Sequence, residues 1–376
     1  MERREADFLI VGGGIAGASA GAWLAREGRA LILERESQPG YHTTGRSAAL
    51  YTEHYGNAPV RALTRASGRF LKEPPAGFAE HPILSHRRML FIARPDQMDR
   101  LDAAEEEMRA GGGTPRRLEW SEARSLVPIL APGYGAGALL DPQAMDIDVH
   151  ALLQGYLRAF RSAGGALVAD AEVIGLERVG GVWHARTREA IFAAPVLINA
   201  AGAWADAIAG LAGLPPLGIA PLRRSMVTID APPGIDFVAW PMFNDVEEQF
   251  YVKPDAGRLL LSPAEETPSP ACDAQPEDLD LALAVDRLER ATTLKVTRLL
   301  GRWAGLRCFA PDRTPVVGFD PLAEGFFWLA GQGGYGIQTS PALGSLTAAL
   351  VRGRSVPAEV TAEGVAEAEL APCRFR

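Results

Sequence analysis

The sequence predicts an α/β protein with α+β insertions: a domain of parallel strands carries a second, β-rich domain. Three observations predict it. An apolar run, a glycine-rich turn and a helical segment follow one another near the start, and that order returns twice further along. The runs are apolar throughout rather than alternating, as strands buried on both faces require. Between the repeats lie segments of another character, with Pro-containing loops and strand-like stretches.

Each element follows from its residues. Phe8 to Val11 is a short apolar strand, and Gly12-Gly13-Gly14 is the turn after it. A helix runs from about Ile15 to Arg26, with Gly28 placed to end it. Ala30 to Leu33 makes the second strand, closed by Glu34. An acidic helix is expected over Gln97 to Arg109. Pro195 to Asn199 leads through Ala200-Ala201-Gly202 into an Ala-rich helix ending near Ala212. Ser225 to Ile229 and Gln249 to Lys253 read as strands among Pro-rich turns. Phe326 to Ala330 enters Gly331-Gln332-Gly333-Gly334-Tyr335-Gly336, and a helix follows from about Ile337 to Val351. The division expected is 1–79, 146–215 and 305–376 for the domain of parallel strands, with 80–145 and 216–304 forming the second domain over it.

Composition narrows the class. The chain has 376 residues, enough for more than one domain, and its 47% hydrophobic and 22% charged content excludes a disordered or collagen-like protein. A formal net charge of −8 without a polybasic run gives no footprint for nucleic acid or an anionic membrane. Three dispersed cysteines exclude a disulfide framework and favour a reducing compartment. The uncharged stretch from Phe8 to Ala25 approaches spanning length, but its crowded glycines and acidic flanks argue against a membrane helix. A soluble, cytoplasmic protein is expected. None of the six histidines shows metal-ligand spacing, and no metal is expected.

The strongest chemical signal is Gly12-x-Gly14-x-x-Gly17 with Glu34 at the end of the next strand. Gly12 permits a tight turn, Gly14 lets backbone approach a pyrophosphate, and Gly17 allows close helix–strand packing. The helix N-terminus directs N–H groups and a positive dipole end at the phosphates, while Glu34 can accept ribose hydroxyls. This Rossmann-like pattern specifies a dinucleotide with an adenosine half, and alone it leaves FAD and NAD both open. The run from Gly40 to Ala49 is rich in small and hydroxyl residues that suit a pyrophosphate or a ring carbonyl, or simply an exposed loop. The glycines from Gly331 to Gly336 open the last helix, where a helix N-terminus can stabilise negative charge, or where a packing turn suffices.

In order along the chain, Gly-x-Gly-x-x-Gly, Glu34, His42-x-Thr44-Gly45-Arg46-Ser47, Ala200 to Trp204, Gly305-Leu306-Arg307 and Gly331 to Gln338 resemble the FAD-dependent D-amino-acid oxidase and glycine oxidase superfamily (DAO). Within it the chain looks most similar to the bacterial D-arginine dehydrogenases. The resemblance implies a DAO/glutathione-reductase-like fold, with a Rossmann-like FAD domain and a mixed β-sheet substrate domain.

It also implies roles for positions here. FAD, held without a covalent bond, would lay its adenosine and pyrophosphate against Gly12, Gly14, Ile15, Ala16, Gly17, Glu34 and Arg35, with the Val173 backbone near the adenine. Thr43, Thr44, Ser47 and Ala48 would line the flavin, and Ala201, Gly202 and Trp204 its middle. Gly305, Gly333, Gly334, Gly336, Ile337 and Gln338 would meet the far end of the ring. Arg224 and Arg307 would clamp a substrate carboxylate, with Tyr251 adding a hydroxyl. Tyr55 would close the site, and Gly334 and Gln338 would lie near the amine. A guanidinium fork is the side chain that suits a carboxylate best, which agrees with this clamp.

The reaction implied is hydride transfer from the Cα of a D-amino acid to flavin N5, giving an imino acid that hydrolyses to a 2-oxo acid and ammonia. A quinone or oxygen would then take the electrons. Competing readings are oxidation of an N-methyl amino acid or a 2-hydroxy acid on the same fold, a nicotinamide-dependent dehydrogenase, and a non-catalytic nucleotide-binding protein. One departure is expected to matter. Where D-arginine enzymes place a glutamate, this chain has Arg87-Arg88-Met89, and Leu50 replaces a polar residue. Arg88 facing the substrate would disfavour D-Arg and D-Lys. With both arginines turned to solvent, an apolar pocket would favour medium-sized side chains. Glu53 and Glu80 are the substitute acids if D-Arg is nevertheless preferred.

Overall fold

The computed structural model describes residues 2–376, with nothing described of the Glu2 side chain. Met1, the first position of the unit drawn at 1–79, lies outside the described residues.

The apolar runs assemble into one six-stranded sheet. Its order is Ala166–Val168, Ala30–Leu33, Phe8–Val11, Val196–Asn199, Phe326–Ala330 and Val316–Phe319. Every neighbouring pair is parallel except the last. Phe8–Val11 is central and buried at all four positions, which explains the absence of alternation in its sequence. Helices Ile15–Leu24, Ala58–Lys72, Val149–Ser162 and Gly336–Val351 pack over one face, where Ile10, Ile32, Tyr156, Phe160 and Phe327 share a core. The other face carries a smaller sheet of Glu2–Glu5, Ala190–Ala194, Val182–Arg186 and Gly175–Val179, with Trp183, Phe192 and Trp328 between the layers. The stretch Phe8 to Ala25 is therefore strand, turn and helix. Among the described residues no helix is long and apolar enough to cross a membrane.

The intervening segments build a larger, mostly antiparallel sheet. It runs Gln332–Gly333, Gly301–Phe309, Ala220–Ile229, Arg258–Ser262, Tyr251–Asp255, Met242–Asp245, Met89–Ala93, Gly137–Asp141 and Arg116–Glu119, with Thr267–Pro268 beside Ala220–Ile229. Helix Asp278–Ala291 covers one face through Leu281, Ala284 and Leu288. Position 305 lies inside the Gly301–Phe309 strand, so one continuous strand spans the division drawn from the sequence. A ladder of nine paired positions from Ala220↔Phe309 to Thr228↔Gly301 holds it there.

Boundaries shifted where tertiary pairing extends or cuts an element. The strand expected from Ser225 begins at Ala220, so Arg224 sits within it rather than at its start. The strand expected from Gln249 begins at Tyr251, because Gln249 and Phe250 belong to the turn closing a hairpin with Met242–Asp245. The acidic helix is Met98–Ala110. The Ala-rich helix after Asn199 divides into a 3-10 turn at Gly202–Trp204 and a helix at Ala205–Leu211.

Candidate active site

The carboxyl ends of the parallel strands form the floor of the site. Gly12 (φ 108) leaves Phe8–Val11 in a conformation that favours glycine, and a Cβ there would stand 2.4 Å from the Ala200 carbonyl oxygen. A Cβ on Gly17 would stand 1.9 Å from the Gly12 carbonyl oxygen. Helix Ile15–Leu24 thereby lies directly on the turn.

A cavity of about 280 Å3 opens beside this turn. Gly12, Gly14, Glu34, Arg35, Thr43, Thr44, Val173, Ala201, Gly202 and Trp204 all line it, joined by Tyr41 and His42. Glu34 is buried, and its two carboxylate oxygens accept from the Gly13 N–H at 2.8 Å and the Glu36 N–H at 2.9 Å. The guanidinium of Arg35 stands 4.6 Å over the Trp204 ring and pairs with Glu36 and Glu172. His42 bonds Glu36 at 2.9 Å, a loop role rather than a catalytic one.

A second cavity, about 210 Å3, adjoins the first through Gly14, Thr43, Thr44, Ala200 and Gly202. Ile15, Ala16, Ser47, Ala48, Gly305, Gly333, Gly334, Gly336, Ile337 and Gln338 line it together with Tyr55, Arg224, Tyr251 and Arg307. Its loop wall is self-bonded. Thr44 Oγ1 accepts the Ile15 N–H at 3.0 Å, Thr43 Oγ1 donates to the Leu306 carbonyl, and Ser47 Oγ donates to the Thr43 carbonyl. Gln338 ties two elements together, accepting from the Thr52 N–H at 3.1 Å and donating to Thr64 Oγ1 at 3.0 Å.

The large sheet forms the opposite wall, and its register groups the polar residues. Arg224 pairs with Gly305 across two antiparallel strands, so Arg307, two residues beyond Gly305, is its diagonal neighbour on the same face. Arg224 is 5% exposed, donates Nε to the Glu265 carbonyl at 2.8 Å, and stands 3.6 Å from Glu266. Its Nη2 is buried without a hydrogen-bond partner. Arg307 donates Nη1 to the Tyr55 hydroxyl at 3.0 Å. Burial disfavours the Arg307 charge, yet Tyr55 and Tyr251 outweigh it and keep the guanidinium protonated. Burial also works against the Glu266 charge, but Arg313 and Arg224 hold that carboxyl below the usual range. Tyr251 donates its hydroxyl to the Met226 sulfur at 3.2 Å, a weak acceptor that a carboxylate oxygen would displace.

Some expectations need correction. Gly17 lines neither cavity, because it is pressed onto Gly12 beneath the turn. Arg88 does not face the cavity, and neither it nor Arg87 simply points to solvent. Arg87 pairs with Asp146 at 2.6 Å and donates to the Val238 and Trp240 carbonyls, while Arg88 donates to the Ala239 carbonyl at 2.8 Å. These bonds fasten the loop before Met242 to the segment that leads into the Met89–Ala93 strand. Glu53 is held by Tyr51 and Lys72, and neither it nor Glu80 lines the cavity. Arg223, the buried neighbour of Arg224, forms ion pairs with Glu277 and Asp280. Arg88→Ala should accordingly leave the ratio of kcat/KM for cationic and neutral substrates unchanged; a selective gain with D-Arg would restore Arg88 to the site.

Sequence reasoning missed Met226, Met242, Asn244, Glu248 and Phe250, which line the second cavity together with Met89 of the Arg87-Arg88-Met89 run. They alternate with core residues on strands and at a hairpin turn, and no local motif marks them. Cys308 also lines it, and burial pushes its thiol up to about 12.

Comparison with known proteins places this geometry. The model of the FAD dependent oxidoreductase family, DAO, matches residues 7–350. The chain is 27% identical to the uncharacterized oxidoreductase YurR of Bacillus subtilis (strain 168), over 94% of this chain and 97% of that one. It is 26% identical to the glycine oxidase of Geobacillus kaustophilus (strain HTA426), over 92% of each. The crystal structure of glycine oxidase from Geobacillus kaustophilus superposes with a TM-score of 0.80, covering 94% of this chain and 96% of that one at 25% identity. The L-proline dehydrogenase of P. horikoshii, at 20% identity and a TM-score of 0.84, covering 100% of this chain and 98% of that one, shares the fold.

Proposed function

This chain belongs to the DAO family of FAD-dependent oxidoreductases, and we propose that it oxidatively deaminates D-amino acids. The product is an imino acid, which water converts to a 2-oxo acid and ammonia. The observation that carries this reading is the arginine pair. Two guanidinium groups on neighbouring strands face one cavity, and the Nη2 of Arg224 makes no hydrogen bond, standing 3.6 Å from the Glu266 carboxylate. A carboxylate is the ligand that completes such a pair. The preference for the D-enantiomer rests on the sequence motifs described above.

The residues present fit FAD. Two adjoining cavities suit a dinucleotide, and a Cβ on Gly14 would project into the passage between them, meeting Thr44 Oγ1 at 3.3 Å, so a small residue keeps that passage open. Gly12, Gly14, Glu34, Arg35, Val173 and Trp204 would hold the adenosine half, and Thr43, Thr44, Ser47, Ala48 and Gly333 to Ile337 the flavin half. When bound, FAD supplies a two-electron acceptor for the hydride from the substrate Cα. Arg224 and Arg307 bind the carboxylate and fix the orientation of Cα. Tyr55 and Tyr251 add hydroxyl donors, and Met226, Met242 and Phe250 keep water from the reacting centre. Gln338 bonds Thr52 and Thr64 while lining the cavity, and its amide keeps a second N–H and a second lone pair for the amine end of the substrate.

Cys308 raises the question of a covalent link. Its thiol remains neutral at physiological pH and is a poor nucleophile in that form. Acid precipitation should therefore release a yellow supernatant, whereas a yellow pellet would establish attachment.

The deciding experiment is the visible spectrum of the purified protein, followed by anaerobic addition of D-amino acids, L-amino acids, sarcosine and 2-hydroxy acids in turn. A yellow protein bleached by D-amino acids is the expected result. Bleaching by sarcosine or a 2-hydroxy acid alone would transfer the assignment to that substrate class.

A further inference from the structure

We propose that Asn244 selects substrates whose side chain ends in a neutral hydrogen-bonding group, a carboxamide above all. The inference rests on the reading of the cavity as an amino-acid site and names the part of the substrate that this site distinguishes.

Asn244 lies on the Met242–Asp245 strand, is 4% exposed, and lines the second cavity. Its Nδ2 donates weakly to the Asp245 carbonyl at 3.4 Å, and its Oδ1 is buried without a partner. Leaving a buried acceptor unpaired is costly, and such orphans in a well-packed wall call for an explanation. Its cross-strand partner is Tyr251, so the two side chains share the face that carries Arg224 and Arg307. That face therefore has a cationic end at Arg224 and Arg307, then Met226 and the Tyr251 hydroxyl bonded to it, and an amide at the far end.

Strand spacing measures the separation. From Ala220–Ile229 the sheet passes through Arg258–Ser262 and Tyr251–Asp255 before reaching Met242–Asp245. Three steps put the two backbones ~14 Å apart. Arg224 and Asn244 rise from one face of the sheet, so an amino acid lying along that face with a side chain of several bonds bridges them. The neighbours of Asn244 on the cavity wall, Met242 and Met89, carry no charge, and the acid lining the same cavity, Glu248, is solvent-exposed. A cationic or anionic terminus would be desolvated there without a counter-ion. A carboxamide offers both a donor and an acceptor and pairs with the Asn244 amide in either orientation.

The test uses the FAD-loaded protein and the size-matched pair D-Gln and D-Met, each with its L-enantiomer, in anaerobic reduction and in steady-state turnover with an artificial acceptor. The wild type should favour D-Gln over D-Met by about tenfold in kcat/KM, and Asn244→Leu should bring the ratio close to one. Asn244→Asp, which keeps the shape and adds a charge, should move the preference toward D-Arg; it decides the matter if Asn244→Leu does not retain FAD. A ratio that is the same in wild type and variants overturns the role of Asn244 while reduction by D-Met leaves the deamination reading intact. Failure of every amino acid to reduce the wild type removes that reading, and this inference with it.

Discussion

Arg307→Met is expected to retain FAD and to lose most of its activity. The guanidinium is held by the Tyr55 hydroxyl at 3.0 Å and faces the cavity beside Arg224. Removing one member of a desolvated charge pair costs about 2–5 kcal/mol, or roughly 30- to 5,000-fold in kcat/KM. Arg224→Met should behave similarly, because its guanidinium lines the same cavity and its Nη2 makes no hydrogen bond, only an ion pair with Glu266 at 3.6 Å. The loss should reside mainly in KM if the arginines only bind, and should extend to kcat if they also orient Cα. Steady-state kinetics alongside the flavin content of each variant make the measurement. Normal kinetics in either variant would falsify the clamp.

The second large effect should come from Gly17→Ala, which touches no ligand. The added Cβ would meet the Gly12 carbonyl oxygen at 1.9 Å. Gly12 cannot retreat, because its N–H donates to the Leu33 carbonyl at 2.8 Å and the next strand crosses beside it at Ala200. Overpacking against fixed backbone belongs at the upper end of a range of about 1–3 kcal/mol. A fall in melting temperature of roughly 5 °C or more should follow, together with loss of FAD on gel filtration. A variant with unchanged melting and full flavin content would show that the helix can move away from the turn. Gly14→Ala is the informative contrast, since its Cβ would meet only Thr44 Oγ1 at 3.3 Å and so should test the ligand passage more than the packing.

The two variants separate what a motif implies about chemistry from what it implies about packing. The motif gives Gly12 the turn, Gly14 the backbone approach and Gly17 the packing, and the structure accordingly puts the first two on a cavity and the third beneath it. Glu34 shows the same division. It lines the first cavity as expected, and it also fastens the turn by accepting the Gly13 and Glu36 amides, which no spacing rule reveals.

By itself the sequence determined the parallel core and the dinucleotide floor. Phe8–Val11, Ala30–Leu33 and Phe326–Ala330 are observed at the bounds read from it, because strands buried on both faces must be apolar at every position. Glycine turns are equally legible, since local sterics fix them. Only the tertiary structure decided what faces the substrate. Arg88 and Met89 are adjacent in the chain, yet Arg88 bonds the Ala239 carbonyl outside the cavity while Met89 lines it. Asn244 reaches the same wall as Arg224 through three strand pairings formed across the larger sheet. A strand's local pattern says which residues share a face, but which face meets the cofactor, and which distant strand lies alongside, depends on pairings that no local rule encodes.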